Sequence, residues 1–374
     1  MTIAVHIRFT DDTTDPAINS HYQCLLLLAT KYPGHHFIFI FDKTYPPGLI
    51  TQKNITALLL PPQIKNPLLQ HYWYNFKIPG LLNKYNADHF ISNGPVCSLR
   101  TNIAQTMMLN DLSFLDKKNL YTAGEVRYIK KYFKKFIVKA TTIAVTNQQV
   151  RNVLAGMYPL IIDKIRLIGY GIKDVSVLPE YEAQENSRNK YADGKSYFLA
   201  FITDVTIQHT IILLKAFSAF KKRQLSNMQL ILLVSSTQKE GFIPDFHLYK
   251  YRDDVKIIIP ANGQEEQEII AAAYTAVYLP AINMLETKGL TVLANNVPLL
   301  TIENDFCKSL YHEAALYSPA DEKKLAERMM LLYKDENLRN NLLHAGRSIA
   351  AAYTWELMAG KLALSLLDTA TQTA

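Results

Sequence analysis

The chain has 374 residues, 49% of them hydrophobic, with 14 glycines and 16 prolines; this is enough apolar material for two ordinary domains and excludes collagen-like, low-complexity and solenoid-repeat architectures. A net charge of +7 and a pI near 9.0 suit a polyanionic partner, either nucleic acid or an acidic membrane surface, but no nucleic-acid reading module accompanies the charge. Cys24, Cys97 and Cys307 are widely spaced, with no His or Cys at metal-ligand separation, so they read as reduced thiols and neither a disulfide framework nor a metal site is expected.

The N-terminus turns acidic at Asp11 and Asp12 before any apolar run reaches signal-sequence length, and no stretch is long enough to span a bilayer; a cytoplasmic protein is expected. Strand-like runs then alternate with helical patterns, the mark of parallel sheets with crossover helices. The first series predicts strands at Ile3 to Ile7, Phe37 to Phe41, Ala57 to Leu60, around Phe90, at Met107 to Leu109 and at Ile143 to Val145, with a helix from about Ser20 to Lys31. The second predicts strands at Tyr197 to Phe201, Leu230 to Val234, Val255 to Ile259, Ala276 to Leu279 and Pro298 to Thr301, with a helix near His209 to Lys222. Between them the polar, periodicity-poor stretch from Ile172 to Gly194 reads as a linker. Asn262 and Glu265 predict a capping box, and Leu325 to Tyr333, Leu338 to Ala345 and Trp355 to Leu367 predict three closing helices.

One predicted helix is basic and amphipathic. Arg127, Lys130, Lys131, Lys134, Lys135 and Lys139 share one face; Val126, Ile129, Phe133, Phe136 and Ile137 line the other, with Tyr128 and Tyr132 at the flanks. Two readings stay open: a surface helix packing its aromatic stripe on its own domain, or peripheral contact with an anionic membrane through residues 125–139.

The segments KYPGHHFIFIFDK, NADHFISNGPVCSLRT, MMLNDLSF, KIRLIGYGI, PAINMLETKGLTVLANNVP, EAALYSPADEKKLAERM and AAYTWELMAGKL, in this order, resemble the family-4 glycosyltransferases over nearly the whole chain. The resemblance implies an α/β, GT-B fold: two Rossmann-like domains whose parallel sheets face across a cleft. It places an acceptor-side domain at 1–171, a linker at 172–194, a nucleotide-sugar-side domain at 195–352 and, at 353–374, a helix crossing back to the first domain. It also implies sugar transfer with retention from a nucleotide-sugar donor to a glycan or lipid-linked acceptor, with no metal and no other cofactor.

The positions that match the family's chemistry depart from it in several places. Glu286 takes the place of the glutamate that acts on the donor sugar, with Gly289 and Leu290 following it. Ala294 stands where a second glutamate would grip the nucleotide ribose. Ala17, Ile18 and Asn19 replace a glycine turn that lets backbone approach the donor phosphates. Asn110-Asp111 replaces a His-Asp pair, and an Asn carries no proton charge. Ile202 replaces a glycine, and Ile207 with Gln208 replace an Arg and a Lys that would neutralise pyrophosphate; no cation follows until Lys215, which falls on the buried side of the helical pattern. Asn93 and Arg100 follow a strand, where cleft-lining loops occur.

Plainer readings stand beside these. Glu286 fits a solvated loop carboxylate, Asp111 a cap on the following turn, and Asn93 and Arg100 loop stabilisation; His21, His71 and His209 read as structural or surface residues. Two functions are therefore carried forward: a glycosyltransferase of impaired activity, and a catalytically silent relative binding a glycan or a partner such as another glycosyltransferase. A dinucleotide-dependent dehydrogenase shares only the sheet pattern, since no glycine fingerprint follows the first strand of either half.

Overall fold

The structure, a computed structural model, describes residues 1–7, 20–45, 50–115, 121–173, 180–202, 207–234, 243, 245–280 and 288–372. It comprises two compact units, Met1–Gly171 with Trp355–Ala374, and Ile172–Thr354.

Unit 1 is built on a parallel sheet of β1 (Thr2–Ile7), β2 (His36–Phe41), β3 (Ile55–Leu59), β4 (His89–Asn93), β5 (Ala104–Leu109), β6 (Thr142–Val145) and β7 (Ile165–Leu167), in the order β3-β2-β1-β4-β5-β6-β7. The chain winds outward from β1 to β3, then returns to the other side of β1 and winds outward again, so the topological switch lies between β1 and β4. Unit 2 repeats this plan with β8 (Tyr197–Ile202), β9 (Gln229–Val234), β10 (Val255–Ile258), β11 (Thr275–Tyr278), β12 (Leu299–Ile302) and β13 (Ala315–Ser318), in the order β10-β9-β8-β11-β12-β13. Its switch lies between β8 and β11. Both sheets are all-parallel α/β, as the alternation of strand and helix patterns requires.

The strands are continuous apolar runs because both faces of each sheet are covered. In unit 1, Ala4, Ile38, Phe90 and Met107 enter one core, while their alternates Val5, Phe39, Ile91 and Met108 enter the other. The second core is closed by the helix Trp355–Gln372, whose Met358, Ala359, Leu362, Ala363 and Leu366 join residues of the Ser20–Lys31 helix. Gly171 allows this closure, since a Cβ there would lie 2.5 Å from Trp355 Cδ1.

The basic helix runs Ala123–Lys139 behind a capping box: Thr122 Oγ1 accepts from Glu125 N at 3.3 Å, and Glu125 Oε2 accepts from Thr122 N at 2.9 Å. Such a cap stabilises a helix by roughly 1 kcal/mol. Tyr128, Ile129, Phe133, Phe136 and Ile137 are buried, with Phe133 packed edge-on against Phe114 at 4.7 Å. Arg127, Lys130, Lys131, Lys134 and Lys135 are exposed.

In unit 2 the helix Ile207–Gln224 packs Leu213, Phe217 and Phe220 on one face of the sheet beside Leu325 and Met329 of Glu322–Lys334. Lys215 lies on the outer face of that helix, where its side chain is 62% exposed and its ammonium pairs with Glu322 at 3.2 Å. This corrects the buried position read from the helical pattern. Residues Tyr181–Ala192 form a helix that joins Gly263–Ala271 through Tyr191 Oη, which donates to Glu265 Oε1 at 2.9 Å. Asn262 caps the Gly263–Ala271 helix, but Glu265 reaches one residue further back than a capping box, accepting from Ala261 N at 2.6 Å.

Candidate functional site

In an open parallel sheet, ligands bind beyond the carboxyl ends of the strands at the topological switch. In unit 1 that position collects Asn93 at the end of β4, Asn110 and Asp111 directly after β5, and His21 in the first turn of Ser20–Lys31. His21 is 4% exposed, and its Nδ1 lies 2.6 Å from Asn93 Oδ1. Because an amide oxygen only accepts, Nδ1 carries the proton and Nε2 presents a lone pair. Burial lowers the His21 pKa, and its contacts with Asn93 and Asn110 offset that in part; the ring is neutral near pH 7. His21 Nε2 and Asn110 Oδ1 are both buried, and the Asn110 amide lies within hydrogen-bonding reach of the His21 ring.

The backbone beneath this cluster is fixed. Gly94, at φ +118, donates its N–H to Met108 O at 3.0 Å, so the chain turns sharply away after Asn93. Asn110 O accepts from Thr146 Oγ1 and Asn147 Nδ2, each at 3.3 Å. Asp111 Oδ1 accepts from Ser113 N at 2.7 Å and so holds the turn Ser113–Leu115. Arg100 stands apart from this group. It precedes β5, at the amino-terminal edge of the sheet, with its guanidinium 4.2 Å over the exposed Phe76 ring.

In unit 2, Ile202 ends β8 inside the core, 3% exposed. Ile207 opens the next helix and Gln208 is exposed on its first turn. One residue on, His209 Nδ1 meets Leu279 O at 2.8 Å, directly after β11, and so ties the two sides of the switch together. Gly289 and Leu290 lie in the helix Lys288–Ala294 and are both buried; a Cβ on Gly289 would overlap the Tyr311 hydroxyl, and Leu290 is 0% exposed. Ala294 is the last residue of that helix. The chain then leaves through Asn296 in the left-handed region at φ +56, a conformation Asn tolerates, with its Oδ1 accepting from Arg347 Nε at 2.8 Å. Ala17, Ile18, Asn19 and Glu286 lie outside the described residues.

Sequence reading missed a cation. Lys288 pairs with Glu266 and lies 5.7 Å from the Phe201 ring near the end of β8. It also set aside His21, although the first helical turn after the first strand of a doubly wound sheet is a ligand-facing position. The three cysteines do not supply a nucleophile, because burial raises all their pKa values, Cys97 to about 12 and Cys307 to about 11. Among the described residues no group of three His, Cys, Asp or Glu side chains is placed to hold a metal ion.

No protein-family model matches the chain, and no curated protein matches its sequence. Its structure does match solved ones. Sucrose-phosphate synthase from Thermosynechococcus elongatus aligns with a TM-score of 0.75 at 14% identity, covering 100% of both chains. Anabaena HepE in complex with UDP-glucose aligns at 0.74 and 13% identity, covering 98% of this chain and 100% of that one. A glycosyltransferase from Rickettsia africae aligns at 0.71 and 15% identity, covering 97% of each. Over its whole length, then, this chain has the fold of the GT-B glycosyltransferases.

Proposed function

We propose that the chain is a glycosyltransferase-type protein. It takes a nucleotide sugar on unit 2 and a glycan or lipid-linked acceptor on unit 1, transfers with retention, and turns over slowly. The observation that carries this reading is the full-length alignment with a structure holding UDP-glucose. Slow turnover is supported by the donor side of unit 2. Ile202 and Leu290 are committed to the core and Gln208 is neutral, so the side chains placed for ligand contact supply little charge for a departing pyrophosphate. A preorganised donor aimed at developing charge is worth about 3 kcal/mol in a transition state, so losing two removes up to some four decades in rate if the losses add. Lys288 is a cation near the end of β8 that could serve instead, and its pairing with Glu266 holds it in place.

The second reading, a silent scaffold for a glycan or for another glycosyltransferase, is favoured by the same apolar donor positions. Transfer assays with UDP-hexoses separate the two. Slow turnover that disappears in Glu286→Ala supports the enzyme, whereas activity unchanged by that substitution belongs to a contaminant and leaves the scaffold. Fold alone does not choose between them.

The exposed lysine face of Ala123–Lys139 supports peripheral contact with an anionic membrane at its cytoplasmic face. Leu68, Tyr72 and Phe76, spaced four residues apart and all exposed, add apolar surface in the same unit. Among the described residues no helix is long and apolar enough to cross a membrane. Binding to vesicles should require anionic lipid and weaken as salt rises.

A further inference from the structure

We propose that Lys288 binds the diphosphate of a nucleotide-sugar donor on unit 2, and that Glu266 occupies the place of a phosphate oxygen until the donor displaces it. The proposal rests on the glycosyltransferase reading and adds to it a carboxylate that masks the site. The Lys288 ammonium lies 5.7 Å from the ring of Phe201, the penultimate residue of β8. That ring packs edge-on against Tyr278, the last residue of β11, at 6.0 Å. The cation is therefore beside the carboxyl ends of the two strands that flank the switch of unit 2, where an open parallel sheet takes its ligands.

Another ion pair of unit 2 shows what a purely structural lysine looks like. Lys221 donates to Ser226 O at 2.6 Å, Met228 O at 3.1 Å and Asp254 Oδ2 at 3.0 Å, which uses all three of its N–H groups, and its side chain is 8% exposed. It staples the amino-terminal edge of the sheet, since Met228 precedes β9 and Asp254 precedes β10. Lys288 differs on each count. Among the described residues its one hydrogen-bond partner is Glu266, so two N–H donors remain, and its side chain is 32% exposed. A phosphate group offers several acceptors to such a cation through charge-assisted bonds.

Glu266 sets the affinity. It lies in the first turn of Gly263–Ala271, where a helix end favours a carboxylate even after Lys288 has turned to a ligand. An incoming phosphate must compete with a carboxylate already in place. Weak donor binding then comes from a masked cation rather than a missing one.

The test is calorimetric titration of the full chain and its variants with inorganic pyrophosphate, UDP and UDP-glucose. Glu266→Gln keeps the side-chain shape and removes the charge, so it should bind each probe about tenfold more tightly than the parent. Lys288→Met in the same background should abolish that gain. The lysine face of Ala123–Lys139 also attracts anions, so Lys215→Met, which removes one outer-face charge of unit 2, serves as the control and should leave the gain intact. Should either substitution prevent folding, Glu266→Ala and Lys288→Gln carry the same expectations. Pyrophosphate bound no more tightly by Glu266→Gln than by the parent, or a gain that survives the loss of Lys288, overturns the proposal. UDP-glucose bound alike by the parent and Lys288→Met refutes the Lys288 contact and leaves the nucleotide-sugar reading standing. A gain that depends on Lys288, with UDP-glucose bound no more tightly than pyrophosphate, would instead refute the nucleotide-sugar reading.

Discussion

The two units repeat one topology but bury different chemistry. His6, His21 and His89 are all buried in unit 1, whereas His209, His247, His312 and His344 of unit 2 remain at least partly accessible. A doubly wound sheet needs only apolar strands and crossover helices, so the polar residues at its switch point vary freely while the fold persists. Unit 1 uses that freedom to place amides and an imidazole beyond its strands. Unit 2 ends its first strand in the buried Ile202 and opens the following helix with the exposed, neutral Gln208.

Acid should expose this difference most strongly. Burial lowers the His89 pKa from 6.5 to about 4. Above the unfolded value both states are neutral and the stability is intact; as pH falls from about 6.5 toward 4, the unfolded chain takes up a proton that the fold refuses. The loss approaches about 1.4 kcal/mol per pH unit, or about 3 kcal/mol over the whole window. His21 shifts in the same direction. Trp73 and Trp355, the two tryptophans of the chain, both belong to unit 1. Their fluorescence should therefore report denaturant unfolding at much lower concentration at pH 5 than at pH 7, and His89→Gln should flatten that dependence. Unfolding of unit 2 at the same shifted midpoint would show that the units are not independent.

Close packing gives the reverse comparison. Gly289→Ala forces a methyl group onto the Tyr311 hydroxyl in unit 2, and overpacking of this kind costs about 1–3 kcal/mol. Gly171→Ala pushes on Trp355 and Met358 in unit 1. The first should lower the thermal midpoint seen by far-ultraviolet circular dichroism and spare the tryptophan signal. The second should shift the tryptophan signal. A smaller effect confined to unit 1, about 1 kcal/mol, is expected from Thr122→Ala, which removes the cap of the basic helix.

These contrasts also mark what the sequence discloses. The central strands were legible because runs such as Phe37 to Phe41 are buried on both faces and therefore apolar at every position. The edge strands β7 and β13 were not: β7 spans three residues, too few to show a pattern, and β13 sets half-exposed Leu316 and Tyr317 between buried Ala315 and Ser318. The site was harder to read than the fold. His21, Asn93 and Asn110 come from three separate stretches and meet only because parallel pairing of β1, β4 and β5 aligns their ends. Likewise Lys288 reaches Phe201 across the β8/β11 switch, a proximity that no local motif encodes. Lys215 failed for a different reason: a helix with apolar residues on most of its circumference does not reveal which face is the outer one.

The smallest effect addresses the donor side directly. A ligand that binds only the native state stabilises it by RT ln(1 + [L]/Kd), so UDP-glucose present at about its own Kd adds only about 0.4 kcal/mol. With neutral Gln208 exposed and Ile202 in the core, little thermal shift is expected from millimolar UDP-glucose on the parent chain. Ile207→Arg with Gln208→Lys puts two cations on the first turn after β8, and each charge-assisted hydrogen bond to phosphate contributes roughly 1.5–3 kcal/mol. The double variant should therefore show a larger midpoint shift with UDP-glucose than the parent, and the gain should shrink in high salt, where phosphate contacts are screened. Because the substitutions lie on unit 2, the gain should appear in circular dichroism and not in the unit 1 tryptophans. A parent chain that already binds UDP-glucose at micromolar concentration by calorimetry would mean that another cation, Lys288 foremost, already serves the phosphates. Lys288→Met would then remove the binding.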